Sequence, residues 1–140
     1  MPSRPACNDF ALFLDMHYNH LTLKYFLSAP HQGPLAGATH CGEAGSERQG
    51  TWVRFELQCD ATRVRSAAFN AFACPHVIAI CARVCEQAQG LALPLGALPG
   101  GVEALRRLFE LPAEKLGRLL LVEDAWRNVA QAANSTAQQG

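Results

Sequence analysis

The sequence predicts an α+β protein in which a small antiparallel sheet packs against helices. Apolar and polar residues alternate over Thr51–Cys59, and apolar residues recur at helical spacing from Pro75 to about Gln89. A helix, then strands, then further helices is the order expected of an α+β domain. The chain of 140 residues is long enough for one such domain, residues 1–140, and we expect residues 1–9 and 134–140 to be frayed.

Each element follows from a local pattern. Helical spacing predicts a first helix that Ala29-Pro30 ends, and a glycine-rich stretch predicts a short strand that runs into a mobile loop. The turn-like sequence after Cys59 predicts a hairpin, and proline suits the first helical position at Pro75. The predicted elements are a helix over Phe10–Leu27, a short strand within Leu35–Gly50, strands Thr51–Cys59 and Val64–Phe72, and helices over Pro75 to about Gln89, Val102–Glu110 and roughly Ala113–Ala133.

Composition excludes several classes of function. Lys and Arg total 12, Asp and Glu also total 12, and no basic stripe is present, so a nucleic-acid partner is not expected. The sequence starts without a secretory signal pattern and contains no apolar run long enough to span a membrane. We therefore expect a cytoplasmic protein, whose six cysteines stay reduced and serve as core residues or as chemical groups.

Cys74 is the first candidate chemical group. With Pro75 at the first helical position, Cys74 becomes the residue that caps the helix. Backbone N–H groups and the positive end of the helix dipole favour a thiolate at that position. The alternative is that Cys74 is a small apolar residue in a tight corner between strand and helix.

Two other pairs of residues could bind a metal. Cys41 and Glu43 are two residues apart, so in a strand they point the same way and could share a zinc or iron ion. Cys81 and Cys85 are four apart on the apolar face of a helix. Cys81 lies roughly 10 Å along the helix from Cys74, too far for a shared ion, so we expect Cys81 and Cys85 to be core thiols.

Four segments together resemble one family, the U-type iron–sulfur cluster assembly scaffolds (IscU, SufU and the N-terminal domain of NifU). The family's cysteine motifs "G-A-P-A-C-G-D" and "A-R-F-K-T-Y-G-C-G-S-A-I-A" are similar to two segments here, and its "L-P-P-V-K-I-H-C-S-I-L-A-E-D-A" is similar to a third. The matching segments are "KYFLSAPHQG" (Lys24–Gly33), "GATHCGE" (Gly37–Glu43), "AAFNAFACPHVIA" (Ala67–Ala79) and "LPAEKLGRLLLVEDA" (Leu111–Ala125).

The resemblance implies a three-stranded antiparallel sheet with helices packed on it, and it implies a set of ligands. The family's first cysteine, aspartate and second cysteine fall on Cys41, Glu43 and Cys74. Its histidine and third cysteine fall on Gly117 and Arg118. Three ligands remain, whereas a [2Fe–2S] cluster or a structural zinc site takes four.

Neighbouring residues could change the chemistry of this site. His40 and His76 flank the two cysteines, and His76 is the better candidate for a further ligand because adjacent residues in a strand point to opposite faces. Arg118 could instead stabilise thiolates by its charge, which suits the handling of persulfide sulfur better than the binding of a metal.

As an implication of the resemblance, the protein is a scaffold or carrier rather than an enzyme. It would bind a labile iron–sulfur cluster, or a zinc or iron ion, through Cys41, Glu43 and Cys74, which we expect to lie close together. The implied partners are a cysteine desulfurase and other cluster-assembly proteins, with no nucleic acid or membrane, and a homodimer could share one cluster. Two alternatives stay open: a thiol protein that relays persulfide sulfur, and a family member that acts as an interaction module with silent cysteines.

Overall fold

Helices flank a three-stranded sheet in the computed structural model, which describes the backbone of residues 17–139 and the side chains of residues 17–136. This arrangement confirms the predicted α+β class. In chain order the elements are α1 His20–Ser28, β1 His40–Ser46, β2 Thr51–Cys59, β3 Val64–Phe72, α2 Pro75–Ala88, α3 Val102–Leu108, a 3₁₀ turn Ala113–Lys115, and α4 Leu116–Gln139.

The sheet has the order β1-β2-β3, and both neighbouring pairs are antiparallel. Gly45 lies opposite Trp52, which lies opposite Phe72, close to the point where the chain leaves β3 and reaches Cys74. His40 begins β1 at the opposite end of the sheet. We call these two ends the Cys74 end and the His40 end.

The glycine-rich segment predicted to be a short strand and a loop is a regular strand and a tight turn. β1 is paired with β2 from His40 to Ser46, and residues 47–50 form the turn that follows. Before β1, the chain crosses from the edge of β3, where the Gly33 amide donates to the Phe69 carbonyl. The amide of Leu35 then donates to Glu56 Oε1 at 2.8 Å, so this crossing segment is fixed to the middle strand.

One face of the sheet is covered by helices and forms the core. Val53, Phe55 and Leu57 alternate with polar neighbours along β2 and are completely buried, which confirms the predicted half-buried strand. α4 packs on β1 and β2, α2 packs on β3, and α1 packs on α2. Trp126 of α4 meets Phe55 edge to face, with ring centroids 6.0 Å apart.

Two glycines of β1 allow α4 to approach the strand closely. A Cβ atom at Gly42 would lie 2.2 Å from the amide nitrogen of Val129, and one at Gly45 would lie 2.7 Å from a methyl carbon of Leu121. Because the earlier glycine meets the later helix residue, α4 runs antiparallel to β1. The start of α4 therefore lies at the Cys74 end of the sheet.

α4 is longer than the sequence pattern indicates. The pattern predicts an end near Ala133 and a frayed tail, but the helix continues to Gln139. The side-chain amide of Asn134 accepts a hydrogen bond from the Leu95 amide at 2.6 Å and donates one to the Leu95 carbonyl at 2.9 Å. Asn134 therefore anchors a loop to the helix, although asparagine often competes with helical hydrogen bonds.

α1 begins at His20, after an Asn19 side chain that accepts a hydrogen bond from the Thr22 amide at 2.8 Å. It ends where predicted, at Ala29, which has a left-handed φ of 37°. Tyr18 and Asn19 are not helical, so the predicted continuous helix is interrupted there, and its residues 10–16 lie outside the described residues.

The other helices lie close to their predicted positions. α2 begins at Pro75, which occupies the first turn as expected. α3 stops at Leu108, slightly before the predicted end, because Glu110 adopts a positive φ of 50° that a helix cannot accommodate. No helix within residues 17–139 is long and apolar enough to cross a membrane.

Replacing Gly42 by Ala is expected to lower the free energy of unfolding by about 1–3 kcal/mol, the usual range for an overpacked core. The new methyl group would meet the backbone of α4 rather than the end of a flexible side chain. Gly96→Ala is the control, because a Cβ there meets nothing within 4 Å. Urea unfolding followed by circular dichroism measures both changes, and equal stabilities would contradict the close packing of α4.

Candidate functional site

Cys74 occupies the N-cap of α2, as the sequence predicts. Its backbone is extended, with φ −75° and ψ 166°, and its carbonyl accepts a hydrogen bond from the Ile78 amide at 3.1 Å. The Cys74 side chain makes no capping hydrogen bond and is partly exposed. The thiol therefore lies beside the first amide groups of a helix, where a negative charge is favoured.

Four further side chains group around this helix start. His76, in the first turn of α2, is only 2% exposed. The Tyr18 ring packs on it with centroids 4.5 Å apart, and Lys115 Nζ lies 2.9 Å from His76 Nδ1 and 5.3 Å from the Tyr18 ring centroid. Arg118 lies in the first turn of α4, three residues after Lys115 of the 3₁₀ turn, and acts electrostatically on both His76 and Tyr18. We call these four residues, together with Cys74, the Cys74 cluster.

The electrostatics of the cluster follow from burial and from its two cations. Burial lowers the pKa of His76 to about 4, and the charges of Lys115 and Arg118 act in the same direction. His76 is therefore neutral at pH 7, and its Nδ1 accepts a hydrogen bond from the Lys115 ammonium group. Burial also raises the pKa of Tyr18, with a further increase from the Cys74 charge, while Arg118 acts in the opposite direction.

The two cations of the cluster are not neutralised by carboxylates in the described part of the chain. All the salt bridges between residues 17 and 136 involve other basic residues, and neither Lys115 nor Arg118 takes part in one. The cluster therefore combines a partly exposed thiol with two positive charges. Such a site favours an anion over a metal cation.

Cys41 and Glu43 lie on the open face of β1 and are exposed. They stand opposite Glu56 and Arg54 of β2, respectively. Arg54 donates to Glu43 Oε2 from Nη1 and to Glu56 Oε2 from Nε, both at 3.1 Å. The prediction that Cys41 and Glu43 share a face is confirmed, but Glu43 is paired with a cation.

The sheet register separates Cys41 from Cys74. Cys41 lies level with Ala68 of β3, and β3 runs four more residues to Phe72 before the chain reaches Cys74. With about 3.3 Å per residue along a strand and about 4.8 Å between strands, the Cα atoms of Cys41 and Phe72 are about 16 Å apart, and Cys74 follows Phe72 by two residues.

α4 gives an independent measure of the same separation. Arg118 belongs to the Cys74 cluster, whereas Thr136, 18 residues later, lies with its Oγ1 3.0 Å from Nε2 of His40, the neighbour of Cys41. At about 1.5 Å per residue, the helix spans about 27 Å between them. Two thiolates on one metal ion lie within about 4.6 Å, so the prediction that Cys41 and Cys74 lie close together is wrong.

The predicted ligand set Cys41, Glu43 and Cys74 is therefore not assembled within one chain. Within the described residues, no group of three or more His, Cys, Asp or Glu side chains could hold a metal ion. The physical reason is that the Cys-Gly-Glu match is local and does not reveal which end of a strand it occupies. The part of β1 and its turn that reaches the Cys74 end is residues 45–50.

The other sequence candidates divide between the two ends. His76 and Arg118 both belong to the Cys74 cluster. The alignment predicts this, because His76 lies two residues after the match of the family's second cysteine and Arg118 falls on its third cysteine. His76 is not suited to bind a metal there, because Lys115 occupies Nδ1 and the ring is buried. His40 lies at the opposite end, and Gly117 offers no ligand.

Cys81 and Cys85 lie inside α2 and are completely buried. Burial raises the pKa of both thiols well above the usual range. The prediction that they are core residues is confirmed.

Sequence reasoning missed Lys115, Tyr18 and Arg54. Lys115 and His76 are 39 residues apart, and only the packing of α4 against α2 brings them together. A lysine beside the predicted start of the last helix was the available signal for Lys115, but nothing in its neighbourhood indicated a histidine partner. Arg54 was visible as a polar-face residue of β2, but its partners depend on strand register.

Spin labels on Cys41 and Cys74 are expected to be more than about 15 Å apart, because the register and α4 place them at opposite ends of the sheet. The measurement is pulsed electron paramagnetic resonance on a Cys7→Ser, Cys59→Ser variant. A pair between Cys41 and a Leu120→Cys label is a second long-distance reference. A principal distance below about 10 Å between Cys41 and Cys74 would restore the shared site.

Mild acid is expected to destabilise the protein through His76. The histidine has a pKa of 6.5 in an unfolded chain and about 4 in the fold, so the unfolded state binds more protons between these values. This contribution to stability is complete above pH 6.5 and is lost as the pH falls towards 4. It amounts to about 1–3 kcal/mol.

His76→Asn removes this titration but retains a hydrogen-bond acceptor near the Nδ1 position. Its free energy of unfolding should fall less steeply over the same pH range, as measured by urea unfolding at a series of pH values. Parallel profiles for the two proteins would show that His76 is not held neutral by the fold.

Comparisons with known proteins agree with this fold. Residues 17–137 match the family described as the NifU-like N terminal domain. No curated protein matches the sequence. The structure of a nitrogen-fixing NifU-like protein (N-terminal) from Brucella abortus is similar, with a TM-score of 0.56 and 18% identity over 81% of this chain and 94% of that chain.

A second solved structure is a candidate iron–sulfur cluster assembly scaffold protein for the SUF system from the thermophile Fervidobacterium islandicum AW-1. It matches with a TM-score of 0.49 and 19% identity, over 55% of this chain and 57% of that chain. At these identities the Brucella structure supports the fold alone, whereas the family match covers nearly all of the described residues. The predicted resemblance is confirmed, and this chain belongs to the NifU-like N-terminal domain family.

Proposed function

We propose that this protein takes part in iron–sulfur cluster assembly as a scaffold-type protein, with Cys74 as the thiol that receives sulfur from a cysteine desulfurase. The observation that carries the proposal is the placement of Cys74. It is partly exposed at a helix N-cap, beside two cations, in a chain of the NifU-like N-terminal domain family.

The surroundings of Cys74 suit a nucleophilic thiol. A thiolate is the reactive form of cysteine, and helix N-termini and neighbouring cations favour it. In the transfer step, the Cys74 thiolate attacks the outer sulfur of a persulfide on the donor. A bond forms between Sγ and that sulfur, the sulfur–sulfur bond of the donor breaks, and the donor leaves as a thiolate. No oxidant or reductant is needed, because one sulfur–sulfur bond replaces another.

An iron–sulfur cluster is the cargo in this proposal, and a single chain does not provide a complete site for it. A [2Fe–2S] cluster takes four ligands, whereas the Cys74 cluster supplies one thiol. A labile cluster or a zinc or iron ion would need further ligands from a second copy in a homodimer or from a partner protein. Cys41 and Glu43 of the same chain lie too far away to contribute.

A second candidate function is an interaction module with silent cysteines. The observation that favours it is the lack of any three-ligand group among the described residues. In that case the family fold would serve to bind other assembly proteins, and Cys74 would take up no sulfur.

Incubation with a cysteine desulfurase and cysteine is expected to add one sulfur atom to Cys74, because this is the thiol best placed to react. Mass spectrometry of alkylated peptides identifies the modified residue. Cys74→Ser should abolish the modification, whereas Cys41→Ser, which removes another exposed thiol at the opposite end, should retain it.

Wild-type protein that acquires no sulfur on Cys74 would contradict the proposal and favour the interaction module. Equal loss of transfer in both serine variants would also contradict it, because Cys41 and Cys74 would then act together. Metal and acid-labile sulfide analysis of anaerobically prepared protein shows separately whether the cargo is bound and in which oligomer.

A further inference from the structure

We infer that Lys115, held in place by His76 and Tyr18, supplies positive charge to the sulfur of Cys74 and so adapts the Cys74 cluster to anionic sulfur, either thiolate or persulfide. Lys115 acts here as a positioning charge and is not itself a nucleophile. The inference deepens the proposed function and rests on it for the identity of the substrate.

The side chain of Lys115 is held by two aromatic rings. A lysine side chain is long and flexible, and at a surface it is usually mobile or paired with a carboxylate. Here the ammonium group donates to the buried His76 Nδ1 at 2.9 Å and lies 5.3 Å from the Tyr18 ring centroid. Neither partner is a carboxylate, so together they hold the cation without cancelling its charge.

The charge of Lys115 acts at the helix start that carries Cys74. His76 follows Cys74 by two residues, in the first turn of α2, so a lysine bound to His76 is held at the same helix start. Arg118, three residues after Lys115, adds a second cation at this end. Lys115 lies over the Tyr18 ring, and the charges of Cys74 and Arg118 both act on Tyr18.

The Cys74 cluster favours anions over metal cations. Positive charge that stabilises an anion on sulfur also repels a divalent metal ion from the same sulfur. A persulfide carries its negative charge on the outer sulfur, within the field of the held Lys115 and of Arg118. The cluster therefore suits the uptake of sulfur better than the binding of iron or zinc by this chain alone.

The test compares alkylation of Cys74 by iodoacetate, an anion, and by iodoacetamide, its neutral analogue. Both reagents form a sulfur–carbon bond with the thiolate and release iodide, so the ratio of their rates is independent of the fraction of thiolate present. The ratio therefore measures the local positive charge that the sulfur presents to an anion. Mass spectrometry of the Cys74 peptide gives both rates.

Lys115→Met is expected to lower the ratio of the iodoacetate rate to the iodoacetamide rate about threefold at low ionic strength. This is the size expected for the loss of one partly exposed charge several ångströms away. His76→Phe should lower it similarly although Lys115 is still present, because the ring keeps its packing but loses the acceptor. His76→Asn, which retains an acceptor, should keep the ratio close to its wild-type value. A purely structural role would change stability in these variants without changing the ratio.

The controls use the same chain. Lys24→Met removes a lysine that also lies over an aromatic ring, 5.6 Å from the Tyr25 centroid, but outside the Cys74 cluster, and should leave the ratio unchanged. Cys41, at the opposite end, is an internal reference whose own ratio should not respond to Lys115→Met. Lys115→Gln provides a second neutral variant if the methionine variant is poorly folded.

An unchanged Cys74 ratio in folded Lys115→Met or Lys115→Gln protein would overturn the inference. A normal ratio in His76→Phe would overturn the positioning role of His76. A lower ratio in the Lys115 variants, together with no sulfur transfer from the desulfurase to the wild-type protein, would support the charge effect and reject the proposed function. Failure of the inference and failure of the proposed function are therefore distinguishable.

Discussion

The contact between α4 and the two glycines of β1 determines where the chemical groups of this protein lie. Because Gly42 brings the helix against the backbone of the strand, α4 has one position and one direction on the sheet. That direction places Lys115 and Arg118 beside the start of α2 and places the end of α4 beside His40. The side chains capable of chemistry are thereby divided between two ends of the molecule.

The sequence predicted the local features of the fold well. The alternation along β2, the N-cap position of Cys74 and the burial of Cys81 and Cys85 each depend on residues close in the chain. The prediction that Cys41 and Cys74 lie close together was wrong because their separation depends on which ends of the strands meet. A short motif does not encode this. In Cys-Gly-Glu, the glycine is needed where α4 approaches the strand, so the tripeptide that suggested a pair of metal ligands serves helix packing.

Two cations of this chain illustrate different uses of charge. Arg54 lies between the carboxylates of Glu43 and Glu56, so its charge is largely balanced on the open face of the sheet. Lys115 is held by a hydrogen bond of similar length, but its partner is an imidazole that burial keeps neutral. The first arrangement fixes structure, whereas the second leaves a positive field available to a neighbouring sulfur.

The separation of the thiols also determines how a sulfur adduct on Cys74 can be removed. Reversible sulfur chemistry commonly uses a nearby resolving cysteine, which closes an internal disulfide. Among the described cysteines, Cys81 and Cys85 are enclosed in the core, and Cys41 and Cys59 lie at the His40 end of the sheet. Within residues 17–136 no second thiol is therefore placed to close a disulfide with Cys74. The sulfur that we propose Cys74 receives would pass to an acceptor outside this part of the chain, at a rate set by the concentration and access of that acceptor.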